Sequence, residues 1–361
     1  MDHVGRMQDF RVRMEREGLD AYWLPDRANV RYLCGFTGDD SALLVTPDRS
    51  VLITDSRYAE QAEDEARVDE VVSRTSSMAQ TVRALCKKLQ VRNLGVTGAN
   101  TSHATYLALT EKADALDVRS LGSGIAEDMR LCKDPEEVEA VRAALKVAQR
   151  TFRRMLRRVK PGRSEKWLAA RFEFEMRTAG ADGPSFDSIC AVDANASVPH
   201  ASPGEDEVTA QSSILFDWGV RCEGYCSDLT RFVSMGRIGS GLRNLVDVVL
   251  AAQAAVIQKL EPGVRCCDAD AAGRSVIAKS GYGNNFGHGI GHGVGLVVHE
   301  GPRLAPGVDT VLLPGMIVTV EPGVYLPGEC GVRIEDMVLI TPDGHEVLSN
   351  LPQRPEELEV G

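Results

Sequence analysis

The 361-residue chain lacks the patterns that mark several large classes of protein. No two of its nine cysteines stand at C-x-x-C spacing, and Cys266 and Cys267 are adjacent. This usage is typical of a reduced, cytoplasmic protein rather than of a disulfide framework. Cys222 and Cys226 flank a turn without further thiolate partners, and we interpret them as small hairpin residues rather than zinc ligands.

Long apolar runs and basic clusters are also scarce. The net charge of −11 comes without a basic stripe, which argues against nucleic-acid binding through phosphate neutralisation. No stretch approaches the ~20 consecutive apolar residues that cross a bilayer, so we expect no membrane partner. The segment 1–11 is charged and offers no apolar core, so a secretory signal is not expected either.

The usual signatures of covalent catalysis are missing too. There is no G-x-S-x-G elbow, and no cysteine is recognisably paired with a base. The H-E-x-x-H motif of one large class of metalloproteases is also absent. Any hydrolytic chemistry in this chain therefore needs another source of activated water.

Four carboxylates and one imidazole near the end of the chain supply that source. Each acid lies inside a short apolar, strand-like run, where uncompensated negative charge is costly unless cations neutralise it. Oxygen ligands with a single imidazole favour Mn²⁺, Co²⁺ or Zn²⁺ over metals selected by thiolates. The sequence thus predicts a ligand set for two divalent cations, formed by Asp217, Asp228, His292, Glu321 and Glu335.

Two antiparallel hairpins are predicted around the acids. In the first, strands on either side of the turn at Glu223-Gly224 put Asp217 opposite Asp228 on one face. In the second, strands on either side of the turn at Pro327-Gly328 put Glu321 opposite Glu335. Two facing carboxylate pairs then line one cleft.

A segment rich in glycine and histidine, residues 285–300, is the second informative feature. Its glycines allow backbone and substrate to approach a metal closely. We expect His292 to be a ligand, and His288 and His299 to carry protons or donate hydrogen bonds to a developing oxyanion. Two ions about 3.5 to 4 Å apart can hold a bridging water and lower its pKa, which predicts hydrolysis, with Glu321 or Glu335 taking the proton.

The chain is long enough for two domains. Residues 1–125 alternate short strands with helical patterns and predict an α/β domain with a mainly buried sheet. Residues 126–361 combine strand hairpins with helices and predict an α+β layer structure. The predicted strands of the first domain cover 21–25, 41–46 and 50–54, and its helices 56–66, 78–89 and 102–113. The predicted helices of the second domain start at Asp134 and Ser164 and cover 241–260 and 266–280.

Several motifs make the chain resemble the creatinase/aminopeptidase P/methionine aminopeptidase superfamily, whose members are pita-bread metallopeptidases. They stand in the family's order and are Phe-Asp-Trp-Gly, Ser-Asp-Leu-Thr-Arg, His-Gly-Ile-Gly-His, Thr-Val-Glu-Pro-Gly and Val-Arg-Ile-Glu-Asp. The resemblance is greatest to the short proline-specific members and extends over essentially the whole chain. It implies a creatinase-type N-terminal domain at 1–125, followed in sequence by a pita-bread catalytic domain at 126–361.

The resemblance also implies a role for each ligand. Asp217 would chelate one metal and His292 with Glu321 the other, while Asp228 and Glu335 would bridge both. The catalytic and substrate-binding histidines it implies are His200, His288 and His299, with His299 at the scissile carbonyl. Arg303 would meet the substrate's C-terminal carboxylate, and Arg333 would bind substrate or support the carboxylates.

These features predict a metallo-exopeptidase that cleaves the Xaa-Pro bond by a metal-bridging hydroxide, with two divalent ions, Mn²⁺ foremost. The expected substrates are small peptides with proline second. The resemblance implies a homodimer in which the loop at 36–41 borders the partner's site. Alternatives are a methionine-aminopeptidase-like or broader metalloaminopeptidase and a non-enzymatic scaffold. Dipeptidase and aminopeptidase action both stay open.

Overall fold

A computed structural model of the protein describes residues 1–111, 116–358 and 360. The chain divides into two compact units, Met1–Arg130 and Leu131–Gly361. The domain division at residue 125 stays a prediction. The end of the helix predicted over 102–113 lies outside the described residues.

The first unit is built on a mixed six-stranded sheet. Its strand order is β4-β3-β2-β1-β5-β6, with antiparallel pairing at β1/β2 and β2/β3 and parallel pairing elsewhere. The strands β1 to β3 are wholly buried, as their apolar runs predict. Its elements are α1 (His3–Arg16), β1 (Ala21–Leu24), α2 (Arg27–Cys34), β2 (Ala42–Val45), β3 (Ser50–Thr54), α3 (Ala59–Glu65), β4 (Glu70–Ser73), α4 (Met78–Lys88), β5 (Asn93–Thr97), α5 (His103–Thr110), β6 (Asp117–Leu121) and α6 (Ile125–Arg130).

The second unit combines four helices with antiparallel sheets, which confirms the α+β prediction. The sheet orders are β11-β10-β7, β12-β9-β8, β14-β13-β15-β18-β19 and β16-β17. Its elements are α7 (Pro135–Leu156), α8 (Glu165–Thr178), β7 (Gly183–Pro184), β8 (Ile189–Val192), β9 (Ser213–Trp218), β10 (Val220–Cys222), β11 (Tyr225–Cys226), β12 (Leu229–Ser234), α9 (Ser240–Lys259), α10 (Cys266–Lys279), β13 (Gly291–Gly293), β14 (Glu300–Leu304), β15 (Ile317–Val320), β16 (Gly323–Leu326), β17 (Cys330–Arg333), β18 (Asp336–Thr341) and β19 (Gly344–Val347).

An aromatic core lies behind the first acidic strand. The Trp218 ring stacks on the Phe152 ring of α7 at 4.4 Å between centroids, and the Phe216 ring contacts the Phe152 ring edge-on at 6.0 Å. Because side chains alternate along a strand, Phe216 and Trp218 point into this core while Asp217 between them points the other way. The packing of β9 therefore aims one acid at the opposite face.

A second core packs around α9 and α10. Among the described residues α9 is the one helix long and apolar enough to cross a membrane by length and composition. That is weak evidence for a span, because the core helix of a folded domain meets the same criterion. Leu245, Val249, Ala252 and Val256 of α9 are buried in this core together with Val318 of β15.

All nine cysteines lie in the described part of the chain, where none of them is in a disulfide. Cys222 and Cys226 are buried in the β10–β11 hairpin. Burial raises the pKa of the Cys222 thiol to about 11. A buried thiol of this kind acts as a small apolar residue, in line with the interpretation of the sequence.

Candidate metal centre

All the side chains that the sequence selects for catalysis, substrate or metal line one cavity of about 860 Å³ in the second unit. They come from β9, β13, β14, the ends of β15, β17 and β18, and the loops around them. The structure therefore brings together His200, Asp217, Asp228, His288, His292, His299, Arg303, Glu321, Arg333 and Glu335.

The first acidic ribbon differs in register from the prediction. Its turn is the expected Glu223-Gly224, and both residues have positive φ, 46° and 77°. The paired strands set Thr230, not Asp228, opposite Asp217. The predicted pairing was therefore wrong by two residues. Because side chains alternate with a period of two, the shift keeps the two acids near one another on the same side of the sheet.

The second acidic ribbon follows the predicted register. Val320 pairs with Asp336 on one side, and Gly323 pairs with Arg333 on the other. This register sets Glu321 opposite Glu335, and both glutamates fall where the ribbon passes from one sheet to the next. At that break the acids lie in neither sheet and line the cavity.

The glycines beside His292 are required by close backbone packing. A Cβ on Gly291 would stand 2.0 Å from the Thr319 carbonyl oxygen, and one on Gly293 would stand 1.9 Å from the Gly301 carbonyl oxygen. No side chain fits at those distances. The glycines thus let β13 lie tightly between its neighbours and hold His292 in place.

His292 lies close to two of the carboxylates. Its Nε2 is 3.3 Å from Glu321 Oε1 and 3.6 Å from Asp228 Oδ2. Its Nδ1 is 3.0 Å from the Gly293 carbonyl oxygen, and since a carbonyl only accepts, Nδ1 carries the proton. Burial lowers the pKa of His292, which leaves a neutral ring with the Nε2 lone pair directed at the acids.

The ligand atoms form three overlapping groups. Within each group the candidate atoms all lie within 4.8 Å of one another. Asp228, His292 and Glu335 each belong to two groups. The groups are Asp217 with Asp228 and Glu335, His292 with Glu321 and Glu335, and Asp228 with His292 and His299.

The protein alone does not neutralise this much negative charge. Burial, followed by the neighbouring carboxylates, raises the pKa of Asp228 and Glu335 well above the ordinary values. Burial raises the pKa of Glu321 to about 7. Arg333 donates from Nη2 to Asp217 Oδ2 at 2.6 Å and supplies one positive charge to this cluster.

Two buried carboxylate oxygens show that the residues fit metal ions. Asp217 Oδ1 and Glu335 Oε1 are buried and have no hydrogen-bond partner within the described ranges. The other oxygens of the same groups are held, by Arg333 and by Thr230 Oγ1 at 2.7 Å. Buried polar atoms are normally satisfied, so oriented, unpaired oxygens beside a neutral imidazole are the donor set expected for hard divalent cations.

His288 has both ring nitrogens engaged. Its Nδ1 donates to the Gly289 carbonyl at 2.8 Å, and its Nε2 accepts from the Tyr325 hydroxyl at 3.0 Å. Arg333 Nη1 in turn donates to that hydroxyl at 2.7 Å. Burial lowers the pKa of His288 to about 4, which keeps the ring neutral. This geometry favours shaping of the site over proton transfer.

Three further predicted residues are exposed on the cavity wall: His200, His299 and Arg303. The His299 ring meets His292 edge-on at 4.5 Å between centroids. Arg333, by contrast, is 2% exposed and bonds Asp217, Thr230 and Tyr325. Its guanidinium is thus directed at protein acceptors, which favours support of the carboxylates over direct contact with substrate.

Several supporting residues escape sequence reasoning. Thr319 Oγ1 accepts from the His292 amide and donates to Glu321 Oε1, so it links two candidate ligands. Behind the glutamates, the buried Arg231 pairs with Asp336 at 2.6 Å, and Gln253 Nε2 donates to Asp336 and to the carbonyls of residues 320 and 334. The available signal was the position of Arg231 and Asp336 inside the two acidic motifs.

Comparison with protein families gives two matches along the chain. The model of metallopeptidase family M24 matches residues 139–342, which is more than half of the chain. The model of the Creatinase/Prolidase N-terminal domain matches residues 6–132. Together they account for both units and agree with the resemblance found in the motifs.

Individual relatives extend the match to nearly full length. An Xaa-Pro dipeptidase of Pyrococcus horikoshii is 30% identical over 93% of this chain and 94% of its own. An Xaa-Pro dipeptidase structure from Bacillus anthracis is 36% identical with a TM-score of 0.92 over 98% and 99% of the two chains. An X-Pro aminopeptidase structure from Thermotoga maritima is 32% identical with a TM-score of 0.86 over 95% and 99%. The chain therefore belongs to metallopeptidase family M24 in the creatinase/aminopeptidase P superfamily, and it is a metallo-exopeptidase with a pita-bread domain behind a creatinase-type N-terminal domain.

Proposed function

We propose that this protein hydrolyses the bond between a first residue and a following proline, using two divalent metal ions. The observation that carries the proposal is the overlap of the ligand groups, in which Asp228, His292 and Glu335 each take part twice. The specificity rests on the relatives, which include an Xaa-Pro dipeptidase and an X-Pro aminopeptidase.

The family resemblance selects one assignment of ligands that is compatible with these groups. Asp217 would hold the first ion, His292 and Glu321 would hold the second, and Asp228 and Glu335 would contact both. Mn²⁺ is our first choice, since oxygen ligands with one imidazole suit it, and Co²⁺ and Zn²⁺ accept the same set. When bound, two such ions activate a shared water as the hydroxide nucleophile and polarise the scissile carbonyl as Lewis acids.

The chain's own residues then handle protons and developing charge. Glu321 or Glu335 accepts the proton of the attacking water, because both carboxylates reach the cavity. Burial raises the pKa of Glu321 to about 7 and raises that of Glu335 above its ordinary value. His299 donates a hydrogen bond to the carbonyl oxygen as negative charge develops there. Burial lowers the pKa of His299, so the neutral ring acts through its N–H.

The substrate side of the cavity offers both polar and apolar surfaces. His200 and Arg303 present exposed polar heads, while Phe186, Ile189 and Pro199 add apolar lining. The apolar residues suit a proline ring and an uncharged first side chain. In a dipeptide the proline carries the terminal carboxylate, which the guanidinium of Arg303 binds as a planar fork.

A peptide panel tests the proposal. Metal-stripped protein, with and without Mn²⁺, is incubated with Ala-Pro, Ala-Pro-Ala and Met-Ala-Ser, and released amino acids are quantified. We expect metal-dependent release of alanine from Ala-Pro, and cleavage of Ala-Pro-Ala would extend the activity to an aminopeptidase. Cleavage of Met-Ala-Ser alone would replace proline specificity with a methionine-aminopeptidase-like activity, and no cleavage of any peptide would contradict the proposal.

Removal of metal should make stability depend on pH. A carboxyl whose pKa is raised in the folded protein stabilises the fold at low pH, and that stabilisation is lost as pH rises through the folded pKa. For Glu321, with its pKa raised to about 7, the loss begins near the ordinary glutamate pKa and is complete by about pH 8, so part of it falls between pH 6 and 8. We expect the free energy of unfolding of metal-free protein to fall by roughly 1–2 kcal/mol across that range from this group.

Urea unfolding at both pH values measures this change. The Mn²⁺-loaded protein is the control, because bound cations favour the ionised carboxylates and remove the fall. A metal-free protein that is equally stable at pH 6 and pH 8 would show that burial does not raise the pKa of Glu321 in this way.

Assembly and location are parts of the same proposal. We propose a cytoplasmic homodimer, supported by the free cysteines and by the resemblance of the chain to proline-specific members of its family. Sedimentation equilibrium of the whole protein tests the assembly, and a monomer at micromolar concentration would overturn it.

A further inference from the structure

Glu165, which no motif singles out, has an unusual environment for a carboxylate. It is the first residue of α8, follows the N-cap Ser164 and is 0% exposed. Within the described residues its carboxylate is bonded by backbone amides and an asparagine side chain rather than by a cation. A buried carboxylate without a cation is costly, so its hydrogen bonds must hold it in place.

Four hydrogen bonds hold the carboxylate, and their donors belong to one loop and to the two residues that flank it. Glu165 Oε1 accepts from the Val192 amide at 2.6 Å and from Asn195 Nδ2 at 2.9 Å. Glu165 Oε2 accepts from Asn195 Nδ2 at 2.8 Å and from the Gly204 amide at 2.7 Å. Val192 precedes the segment 193–203 and Gly204 follows it, so a single carboxylate fastens both ends of this loop.

The loop at 193–203 forms one wall of the cavity and carries His200. Its far side is tied to the metal centre, since Arg333 Nη1 donates to the Pro199 carbonyl at 3.2 Å while Nη2 of the same guanidinium holds Asp217. Its start is fixed by Asp193, which has a positive φ of 47° and accepts from the Ser213 amide at 2.7 Å.

We propose that Glu165 is a positioning residue for substrate, acting through His200. By clamping both ends of the 193–203 loop, it sets the distance between the His200 ring and the metal carboxylates. The proposal rests on the proposed function, because it takes His200 as a contact for the peptide. It assigns a role to a residue about 35 positions away from His200 that touches neither metal nor substrate.

Glu165→Gln is the decisive variant, because it keeps the shape and removes the charge. A glutamine offers one acceptor oxygen and places an N–H₂ group against at least one of the two loop amides, which are both donors. We expect hydrogen exchange of the Val192 and Gly204 amides to accelerate by about 10-fold. This is the change in the opening equilibrium that corresponds to the free-energy penalty of one unpaired buried donor. This readout needs no enzymatic activity.

Glu165→Gln should weaken the binding of substrate and leave the binding of metal nearly unchanged. We expect KM for Ala-Pro to rise by about 10-fold, with a smaller change in kcat and with Mn²⁺ affinity within about twofold of the parent. In a His200→Ala background, Glu165→Gln should leave KM unchanged, since a residue that acts through His200 has no effect once that ring is gone. Asn195→Ala, which removes two of the four bonds, should give a smaller shift in the same direction.

Glu175→Gln is the matched control, because Glu175 is a buried carboxylate on the same helix that binds Arg171 instead of the loop. It should change neither KM nor exchange at 192 and 204. Equal effects of Glu165→Gln with and without the His200 ring, or a loss of Mn²⁺ affinity, would overturn the proposal. If the parent protein does not cleave Xaa-Pro peptides, the proposed function fails, and unaccelerated exchange in the loop would separately overturn the role of Glu165.

Discussion

Glu335→Gln is expected to lower kcat/KM for Ala-Pro by about 1,000-fold or more, equivalent to about 4 kcal/mol of transition-state stabilisation. Glu335 belongs to two of the three ligand groups, and its Oε1 is buried without a partner among the residues described. An amide is neutral and cannot offer two anionic oxygens, so both metal positions lose a ligand together. We also expect the variant to bind fewer than two Mn²⁺ ions per chain.

Elemental analysis of the variant alongside steady-state kinetics checks this result. Glu346→Gln is a suitable control, since Glu346 lies on β19 in the adjoining sheet and pairs with Arg142 at the surface. It should retain activity within about twofold, the range usual for an exposed ion pair. A Glu335→Gln enzyme that keeps two ions and a tenth of the parental activity would show that this carboxylate does not join the two metal positions.

His299→Ala is expected to lower kcat by about 100- to 1,000-fold, the usual cost of removing one hydrogen-bond donor to a developing oxyanion. The ring is exposed to the cavity and lies 4.5 Å from the ring of His292. Because burial lowers its pKa, the ring is neutral near pH 7 and acts through its N–H. KM should change much less than kcat, since charge on the oxygen develops only in the transition state.

Metal content separates this role from direct ligation. His299 also lies within reach of Asp228 and His292 as a possible third ligand. A hydrogen-bond donor can be removed with both ions retained, whereas removal of a ligand lowers the metal content. His345→Ala is the control for histidine loss, because His345 bonds the Leu260 carbonyl and is not among the described residues that line the cavity. Loss of one ion from His299→Ala would contradict the role proposed here.

The residues that line the cavity could be predicted because their chemistry conflicts with their local context. Acids inside apolar strands, such as Asp217 and Glu335, indicate a buried functional site. The alternation of side chains along a strand then predicts that the acids lie on one face. The second ribbon was predicted in register because its acids are symmetric about the turn. The first was misjudged by two residues, because the two-residue turn sets Thr230 opposite Asp217.

The supporting residues could not be found in the same way. Glu165 resembles an ordinary acid in the first turn of a helix, where it favours the helix dipole, and nothing nearby in the sequence shows its bonds to Val192 and Gly204. Gln253 likewise reaches Asp336 across more than 80 positions. Such contacts depend on how separate elements pack, which a pattern of short period does not contain.

The central claim, that two metal ions held by these carboxylates perform the hydrolysis of Xaa-Pro bonds, is tested most directly by a metal titration. Metal-stripped protein is titrated with Mn²⁺, and the rate of Ala-Pro cleavage is measured together with the number of ions bound per chain. We expect no cleavage without metal and a rate that reaches its plateau only when two ions are bound. Full activity in the metal-free protein, or a plateau at one bound ion, would contradict the account.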